Sequence, residues 1–314
     1  MHRWSTLLVE HSALGEAPPP TLTGLDGQAE PVPTPRSLFT RWEQERTDPG
    51  ELALELDARQ WREDLPEDER ADLSLLLHEF TLAEYTALDV LAPLLTGSPD
   101  EHAALFLGTQ LADVTRHSRS MLRIAHRVLG LPDHPRAVLA SCWRTIGPKR
   151  RAVHELEGQL AGELLRQPGD RSHWLRAAAM TYLVMEGAAG ITGRRAVIAS
   201  LSQLDRLPGV RSVFTGFTRD ASRHLAFGHH ALRAGVRAGY ADDICDLVET
   251  AAPVAVRSMA GHADPAAERA HVWHAVRNMQ RGLRMAGLDS AFVRHIALRC
   301  TEEALPLAVS ASTR

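Results

Sequence analysis

Long stretches of helical periodicity, separated by short breakers, constrain the fold of this 314-residue chain more than any other feature. From about residue 38 onward Ala, Leu, Arg and Glu dominate, aromatic residues make up only 5% of the chain, and no segment shows sustained period-two alternation. Breakers that contain proline or glycine fall at 65–70, 96–101, 129–135, 166–172 and 206–210. Long helices joined by short loops are typical of a bundle, so the sequence predicts an all-α fold.

Three regions are expected along the chain. Residues 1–37 form a Pro-rich N-terminal arm, because 15–36 are rich in Pro, Gly and Thr. Residues 38–235 form the helical bundle, and 236–314 add helices that pack on the same domain. The stretch GPKRR (147–151) is interpreted as a solvated turn and the start of a helix.

Four of the predicted helices each carry one ionisable residue in the middle of an apolar face. These are Glu84 on helix 71–95, His117 on helix 101–129, Glu186 on helix 173–192 and His224 on helix 211–234. One such histidine alone is more often a hydrogen-bonded core residue, and Glu84 alone could reach solvent. A buried carboxylate is costly unless it is paired or coordinated, so four together indicate a shared metal-type centre, present or ancestral.

A short motif, Asp-x-x-Arg-His, occurs twice. The first copy is Asp113, Arg116 and His117, and the second is Asp220, Arg223 and His224. Each copy follows a helix that carries the glutamate. This order is the pattern of two similar helix hairpins that face one another.

On these residues the chain resembles the ferritin-like superfamily, in the branch of the ribonucleotide reductase small subunit and the related ligand-binding oxidases. The resemblance covers roughly residues 38–235 and rests on 61–95, 110–130, 182–198 and 218–232. It implies a ferritin-like four-helix bundle core with additional flanking helices. It also implies metal ligands from a carboxylate, a Glu-x-x-His, a Glu and a second Glu-x-x-His. Glu84, His117, Glu186 and His224 fall on four of those six positions.

The other two positions depart from the family, since Val114 and Ala221 stand where its bridging glutamates would be. Two carboxylates balance the charge of one divalent ion and leave a second unbalanced in a low-dielectric core. A dinuclear centre is therefore not expected. Two alternatives stay open: one divalent ion, with iron or manganese preferred, or no metal, with the histidines and glutamates hydrogen-bonded to one another.

Asp113 and Asp220 lie four residues before each histidine, where they could act as ligands themselves. In the family an acidic residue at this position commonly orients the histidine of the opposite hairpin. The preferred prediction therefore places Asp220 near His117 and Asp113 near His224.

The tyrosines argue against one role within this branch. The resemblance implies a radical-storing tyrosine about one turn after the histidine of the first motif, and Met121 stands there. A reductase role is therefore not expected. Tyr182 is interpreted as core packing, with its hydroxyl bonded to a nearby carboxylate. Together with Val114 and Ala221 it is assigned to an apolar pocket beside the metal, where a substrate or oxygen could bind.

The net charge and the cysteine content limit the kinds of partner and the cellular location that are expected for this chain. A net charge of −4 and a pI near 6.5 speak against nucleic acid or an anionic membrane surface as a partner. Three widely spaced cysteines fit neither a zinc site nor a disulfide framework, and the N-terminus does not read as a signal peptide, so a cytoplasmic protein is expected. The resemblance implies a homodimer.

Two hypotheses of function follow. The first is a non-haem oxidoreductase that acts on a small organic substrate in specialised metabolism, with a metal held by the four ligands. The second is a non-catalytic ligand-binding or partner protein with a degenerate, metal-free site.

Overall fold

The computed structural model describes residues 33–44, 52–259 and 265–305, and all regular structure within these ranges is helical. This confirms the all-α prediction. The helices are α1 (Pro35–Gln44), α2 (Glu55–Glu63), α3 (Glu67–Thr96), α4 (Glu101–Arg127), α5 (Pro135–Thr145), α6 (Gly147–Arg166), α7 (Arg171–Ala179), a π-helical segment (Met180–Gly190), α8 (Ile191–Leu204), α9 (Pro208–Arg237), α10 (Ala241–Ser258), α11 (Pro265–Met285) and α12 (Ser290–Ala304).

The predicted breakers coincide with the ends of helices because their side chains cap the next element. The carboxylate of Asp100 accepts a hydrogen bond of 2.8 Å from the backbone N–H of Ala103 and so caps α4. Asp170 caps α7 in the same way, through the N–H of His173 at 3.0 Å. Each cap satisfies a backbone donor that the first turn of a helix leaves unpaired.

The bundle consists of α3, α4, α9 and the continuous run from α7 through the π segment to α8. Aromatic rings join these helices across the core. Phe106 of α4 stacks on Phe227 of α9 with ring centroids 4.4 Å apart, and Phe80 of α3 meets Phe214 of α9 edge to face at 5.0 Å. These ring contacts, together with that of Tyr182 with Phe227, keep the middle residues of the four elements close to one another.

The π segment is a departure from the simple helix that the sequence predicts over 173–192. A π turn holds more residues than an α turn, which changes the direction of the side chains that follow. Gly187 suits this segment, because a Cβ at this position would lie 2.5 Å from the carbonyl oxygen of Tyr182. The segment carries Glu186, so the irregular turn sets where that carboxylate points.

The helices that follow residue 236 complete the same core. Apolar residues of α10, α11 and α12, among them Leu247, Val272 and Ile296, belong to one continuous buried cluster with Phe106 and Tyr182. The division into three regions stays a prediction, and most of the predicted arm lies outside the described residues. None of the described helices is long and apolar enough to cross a membrane.

Candidate metal centre

The two Asp-x-x-Arg-His motifs face one another in the middle of the bundle and exchange hydrogen bonds. Nε2 of His117 lies 3.1 Å from Oδ2 of Asp220, and Nε2 of His224 lies 3.2 Å from Oδ2 of Asp113. These are the two cross-pairs that the sequence predicts. All four side chains are buried. Each aspartate therefore fixes the ring orientation of the histidine on the opposite hairpin.

The second nitrogen of each imidazole points toward a glutamate. Nδ1 of His117 hydrogen-bonds Oε2 of Glu84 at 3.2 Å, while Nδ1 of His224 stands 3.6 Å from Oε1 of Glu186. Among the described residues, Nδ1 of His224 is a buried ring nitrogen without a hydrogen-bond partner. The structure thus brings the four predicted ligands together as two histidine–glutamate pairs, with the imidazole ring centroids 6.4 Å apart.

An arginine of the motif ties the two aspartates together. Arg223, which is only 2% exposed, places Nη2 at 3.0 Å from Oδ2 of Asp113 and 2.7 Å from Oδ1 of Asp220. Asp113 also accepts hydrogen bonds from the guanidinium of Arg116 and, at 2.8 Å, from the indole Nε1 of Trp42. The layer behind the histidines is therefore a connected network of charge-assisted hydrogen bonds.

A further cation, the guanidinium of Arg194, lies beside the centre and was not predicted from the sequence. Nη2 of Arg194 on α8 lies 3.1 Å from Oε2 of Glu186, and the arginine is 3% exposed. Gly190 leaves space for it, because a Cβ there would lie 3.2 Å from both terminal guanidinium nitrogens. The one signal in the sequence was a charged residue beside the glycines of AAGITGRR, a context in which a surface arginine is the usual interpretation.

The charges of the centre shift the pKa values of its members. Burial alone lowers the pKa of the His117 imidazole, but the carboxylates of Glu84 and Asp220 outweigh it and raise this pKa to about 9. Burial raises the pKa of the Glu186 carboxyl, but Arg194 and then His224 outweigh it and lower this pKa to about 2. Without a metal, imidazolium and guanidinium groups are therefore the positive partners of these carboxylates.

A cavity of about 100 Å³ adjoins the centre. Glu84, Glu186 and Val114 line it, so it reaches the inner side of the candidate ligands. The two other residues assigned to the pocket, Ala221 and Tyr182, are buried but do not line this cavity. The hydroxyl of Tyr182 donates a 2.7 Å hydrogen bond to Oε1 of Gln110, an amide and not the carboxylate that was expected.

Helix α6 forms the wall of the cavity that faces away from the histidines, and it carries polar side chains. Nε of Arg150 lies 2.7 Å from Oε2 of Glu79, and His154 and Glu157 line the cavity one and two turns farther along α6. The predicted start of a helix in GPKRR is confirmed, since α6 begins at Gly147. The solvated interpretation is wrong for Arg150, because its side chain is 14% exposed and its charge is held by the carboxylate of α3.

The candidate ligands are paired with one another, and no three His, Cys, Asp or Glu side chains in the described ranges stand in a coordinating arrangement. The donor set nevertheless fits one ion. Both Nε2 atoms are bound to aspartates, which leaves each Nδ1 atom to a glutamate, at 3.2 Å for His117 and 3.6 Å for His224. Two imidazole nitrogens and two carboxylates are a donor set that suits one divalent ion.

Comparison with solved structures places the fold. The chain is similar to an R2-like ligand-binding oxidase from Sulfolobus acidocaldarius, with a TM-score of 0.65 and 17% identity over 82% of this chain and 94% of that one. It is also similar to an R2-like ligand-binding oxidase with an aerobically reconstituted metal cofactor after photoconversion, with a TM-score of 0.63 and 14% identity over 88% and 92% of the two chains. A variant of such an oxidase with an aerobically reconstituted Mn/Fe cofactor gives a TM-score of 0.63 at 14% identity, over 86% of this chain and 92% of that one. No protein-family model matches the sequence, and neither does any curated protein.

These likenesses establish the ferritin-like helical fold that the residues predict. The metal cofactors belong to the compared proteins. The metal-ligand role of Glu84, His117, Glu186 and His224 stays a prediction for this chain.

Proposed function

We propose that this protein is a ferritin-like oxidoreductase that holds one divalent metal, iron or manganese, with Glu84, His117, Glu186 and His224, and acts on a small organic substrate in the adjoining cavity. The observation that carries the proposal is the buried Nδ1 of His224, which faces Glu186 at 3.6 Å, just beyond hydrogen-bond distance. An unpaired buried acceptor or donor costs free energy. A metal ion would satisfy it.

The charges favour one ion over two. Val114 and Ala221 stand at the positions of the family's bridging carboxylates, and both are buried apolar residues. Arg194 already supplies a positive charge to Glu186 at 3.1 Å. A second divalent ion would therefore enter a low-dielectric centre that lacks the negative charge to balance it.

Each remaining residue has a definite task in this proposal. The bound metal would supply Lewis-acid or redox chemistry. Asp220 and Asp113 hold the Nε2 atoms of the two histidines and so present both Nδ1 atoms to the ligand side. The methyl groups of Val114 border the cavity and leave space for a substrate where the family has a ligand. The apolar lining near this residue excludes water from the reacting part of the cavity.

Elemental analysis of the purified protein, produced with iron, manganese and zinc available, tests the proposal. We expect one ion per chain in the wild type and a loss of that ion in His224→Ala. The matched control is His102→Ala, which removes an exposed imidazole from α4 and should keep the metal. Activity should be followed as substrate-dependent oxygen consumption on the same samples.

Each of the other outcomes contradicts part of the proposal. Two ions per chain would refute the charge argument. No bound metal in the wild type would instead support the non-catalytic alternative, in which the Glu84–His117 hydrogen bond and the Glu186–Arg194 ion pair complete the centre without an ion.

A further inference from the structure

A second polar cluster borders the same cavity through two of its three members, His154 and Glu157. It consists of Thr86 on α3 with His154 and Glu157 on α6, and we call it the α6 cluster. The Thr86 hydroxyl lies 3.3 Å from Oε2 of Glu157 and 3.3 Å from Nδ1 of His154, and these last two atoms are 3.5 Å apart. His154 and Glu157 are 7% and 3% exposed. None of the three residues belongs to the proposed metal centre.

The carboxylate of Glu157 differs from the other carboxylates that line the cavity. Glu79 is held by Arg150, and Glu186 is held by Arg194. Within the described chain, the ion-pair partner of Glu157 is the His154 imidazole at 3.5 Å, and no guanidinium group holds it. Burying a carboxylate without a full cationic partner is costly, which makes this site a place where a ligand cation would be stabilised.

The rest of the lining suits the carbon skeleton of a small ligand. Apolar side chains of Leu76, Phe80, Ala87, Val114 and Met185 also line the cavity. A cavity of about 100 Å³ is smaller than the roughly 150 Å³ that holds benzene, so a ligand of a few carbon atoms fits.

We propose that this cavity binds a small primary amine, whose ammonium group is held by the carboxylate of Glu157 and whose carbon chain extends toward Glu84 and Glu186. The proposal names the substrate class of the proposed oxidoreductase and rests on that function. An ammonium donates hydrogen bonds, and the buried carboxylate of Glu157 at the cavity wall can accept them. Glu157 is thus a specificity residue outside the metal centre.

A carboxylate ligand fits this lining less well. The two guanidinium groups that reach the cavity, Arg150 and Arg194, already face glutamates at 2.7 and 3.1 Å. Four glutamates line the space, Glu79, Glu84, Glu157 and Glu186. An anion would have to displace one of these ion pairs and would be repelled by the remaining carboxylates.

Binding of three probes of equal chain length tests the proposal: propylamine, 1-propanol and propionate. The dissociation constants are measured at neutral pH by ligand-observed nuclear magnetic resonance, for metal-loaded and for metal-stripped protein. We expect propylamine to bind at least tenfold more tightly than either of the others in both preparations. Equal binding of the three probes, tighter binding of propionate, or no binding of any probe would overturn the proposal.

Two variants locate the ammonium. Glu157→Gln keeps the shape of the side chain and removes its charge, so propylamine binding should weaken at least tenfold. Glu155→Gln makes the same change at an exposed position of α6 and should leave binding unchanged. Unfolding curves show whether both variants are folded. If Glu157→Gln does not fold, the selectivity of the wild-type protein among the three probes still tests the proposal. If propylamine binds equally to Glu157→Gln, the ammonium lies elsewhere and the proposal is wrong.

The result is separable from that of the proposed function. Metal analysis reports on the ligands around His224, whereas amine binding to stripped protein reports on the α6 cluster. A chain that binds metal but not propylamine would retain the proposed function and lose the substrate class. A chain that binds propylamine but no metal would show the reverse.

Discussion

Replacement of Arg223 by methionine should be one of the most destabilising single changes in this protein. The guanidinium is 2% exposed and joins Asp113 at 3.0 Å to Asp220 at 2.7 Å, so it neutralises two buried carboxylates of opposite hairpins. Methionine keeps most of the length and apolar contact of the side chain. The change therefore isolates the charge and its hydrogen bonds.

The magnitude follows from these contacts. A hydrogen bond to a charged group contributes about 1.5–3 kcal/mol, and removal of one partner from a buried ion pair costs about 3–5 kcal/mol. Asp113 keeps Arg116 and Trp42 as donors, whereas Asp220 keeps His117, so part of the loss is relieved. We expect Arg223→Met to lower the free energy of unfolding by about 4 kcal/mol, a large share of the 5–15 kcal/mol typical of a folded domain.

Urea unfolding followed by far-ultraviolet circular dichroism measures this loss. The matched control is Arg119→Met, an exposed arginine of α4, which should change the free energy of unfolding by less than about 0.5 kcal/mol. The double variant Arg223→Met with Asp113→Asn should lose less unfolding free energy than the sum of the two single variants. Asp113→Asn removes a negative charge that the loss of Arg223 leaves without its ion-pair partner. A loss in Arg223→Met of less than about 1 kcal/mol would refute the claim that this network holds the hairpins together.

Three further predictions concern the ligands, the π segment and the dependence on pH. Val114→Glu combined with Ala221→Glu should raise the metal content measured by elemental analysis toward two ions per chain, because it restores both bridging carboxylates; an unchanged content would contradict this. Gly187→Ala should lower the free energy of unfolding by about 2 kcal/mol in thermal or urea unfolding, because the added Cβ would lie 2.5 Å from a carbonyl oxygen. In the control Gly216→Ala, the added Cβ has no neighbour within 4 Å, so the change should be neutral or stabilising. Burial lowers the pKa of His229 from 6.5 to about 4. Between pH 6.5 and pH 4 the unfolded chain therefore binds a proton at this residue that the folded chain does not. The free energy of unfolding should fall by about 3 kcal/mol as the pH drops across this range. His229→Gln should flatten this part of the stability profile, and an unchanged profile would assign the acid loss to other groups.

Periodicity was sufficient to predict the fold and the facing hairpins. The four long helices end where the Pro- and Gly-containing breakers stand, because capping side chains such as Asp100 and Asp170 are local features of the sequence. The cross-pairs between Asp113 and His224 and between Asp220 and His117 follow from an internal repeat together with the family's pattern. The caps and the repeated motif can be found from the sequence alone, whereas the cross-pairing of the two motifs also depends on the family's pattern.

Arg150 and Arg194 could not be assigned in this way. Each is a long side chain that reaches a carboxylate on a different element, Glu79 for the first and Glu186 for the second. Their spacing to these partners depends on the tertiary packing, and an arginine near a turn or a glycine is usually exposed. The π segment was missed for a related reason, since its extra residue per turn is a property of the packed bundle and not of a periodic pattern.

The placement of Arg194 and Arg223 bears on the charge balance of the proposed centre. In the proposed centre, Val114 and Ala221 stand where the resemblance places two bridging glutamates, and both are buried and uncharged. Arg194 then adds a positive charge on the inner side of Glu186, while Arg223 and the two aspartates keep the outer layer intact. For this reason we propose one divalent ion with apolar atoms beside it. Under this proposal a substrate takes the space of a second ion, in the cavity that Val114, His154 and Glu157 line.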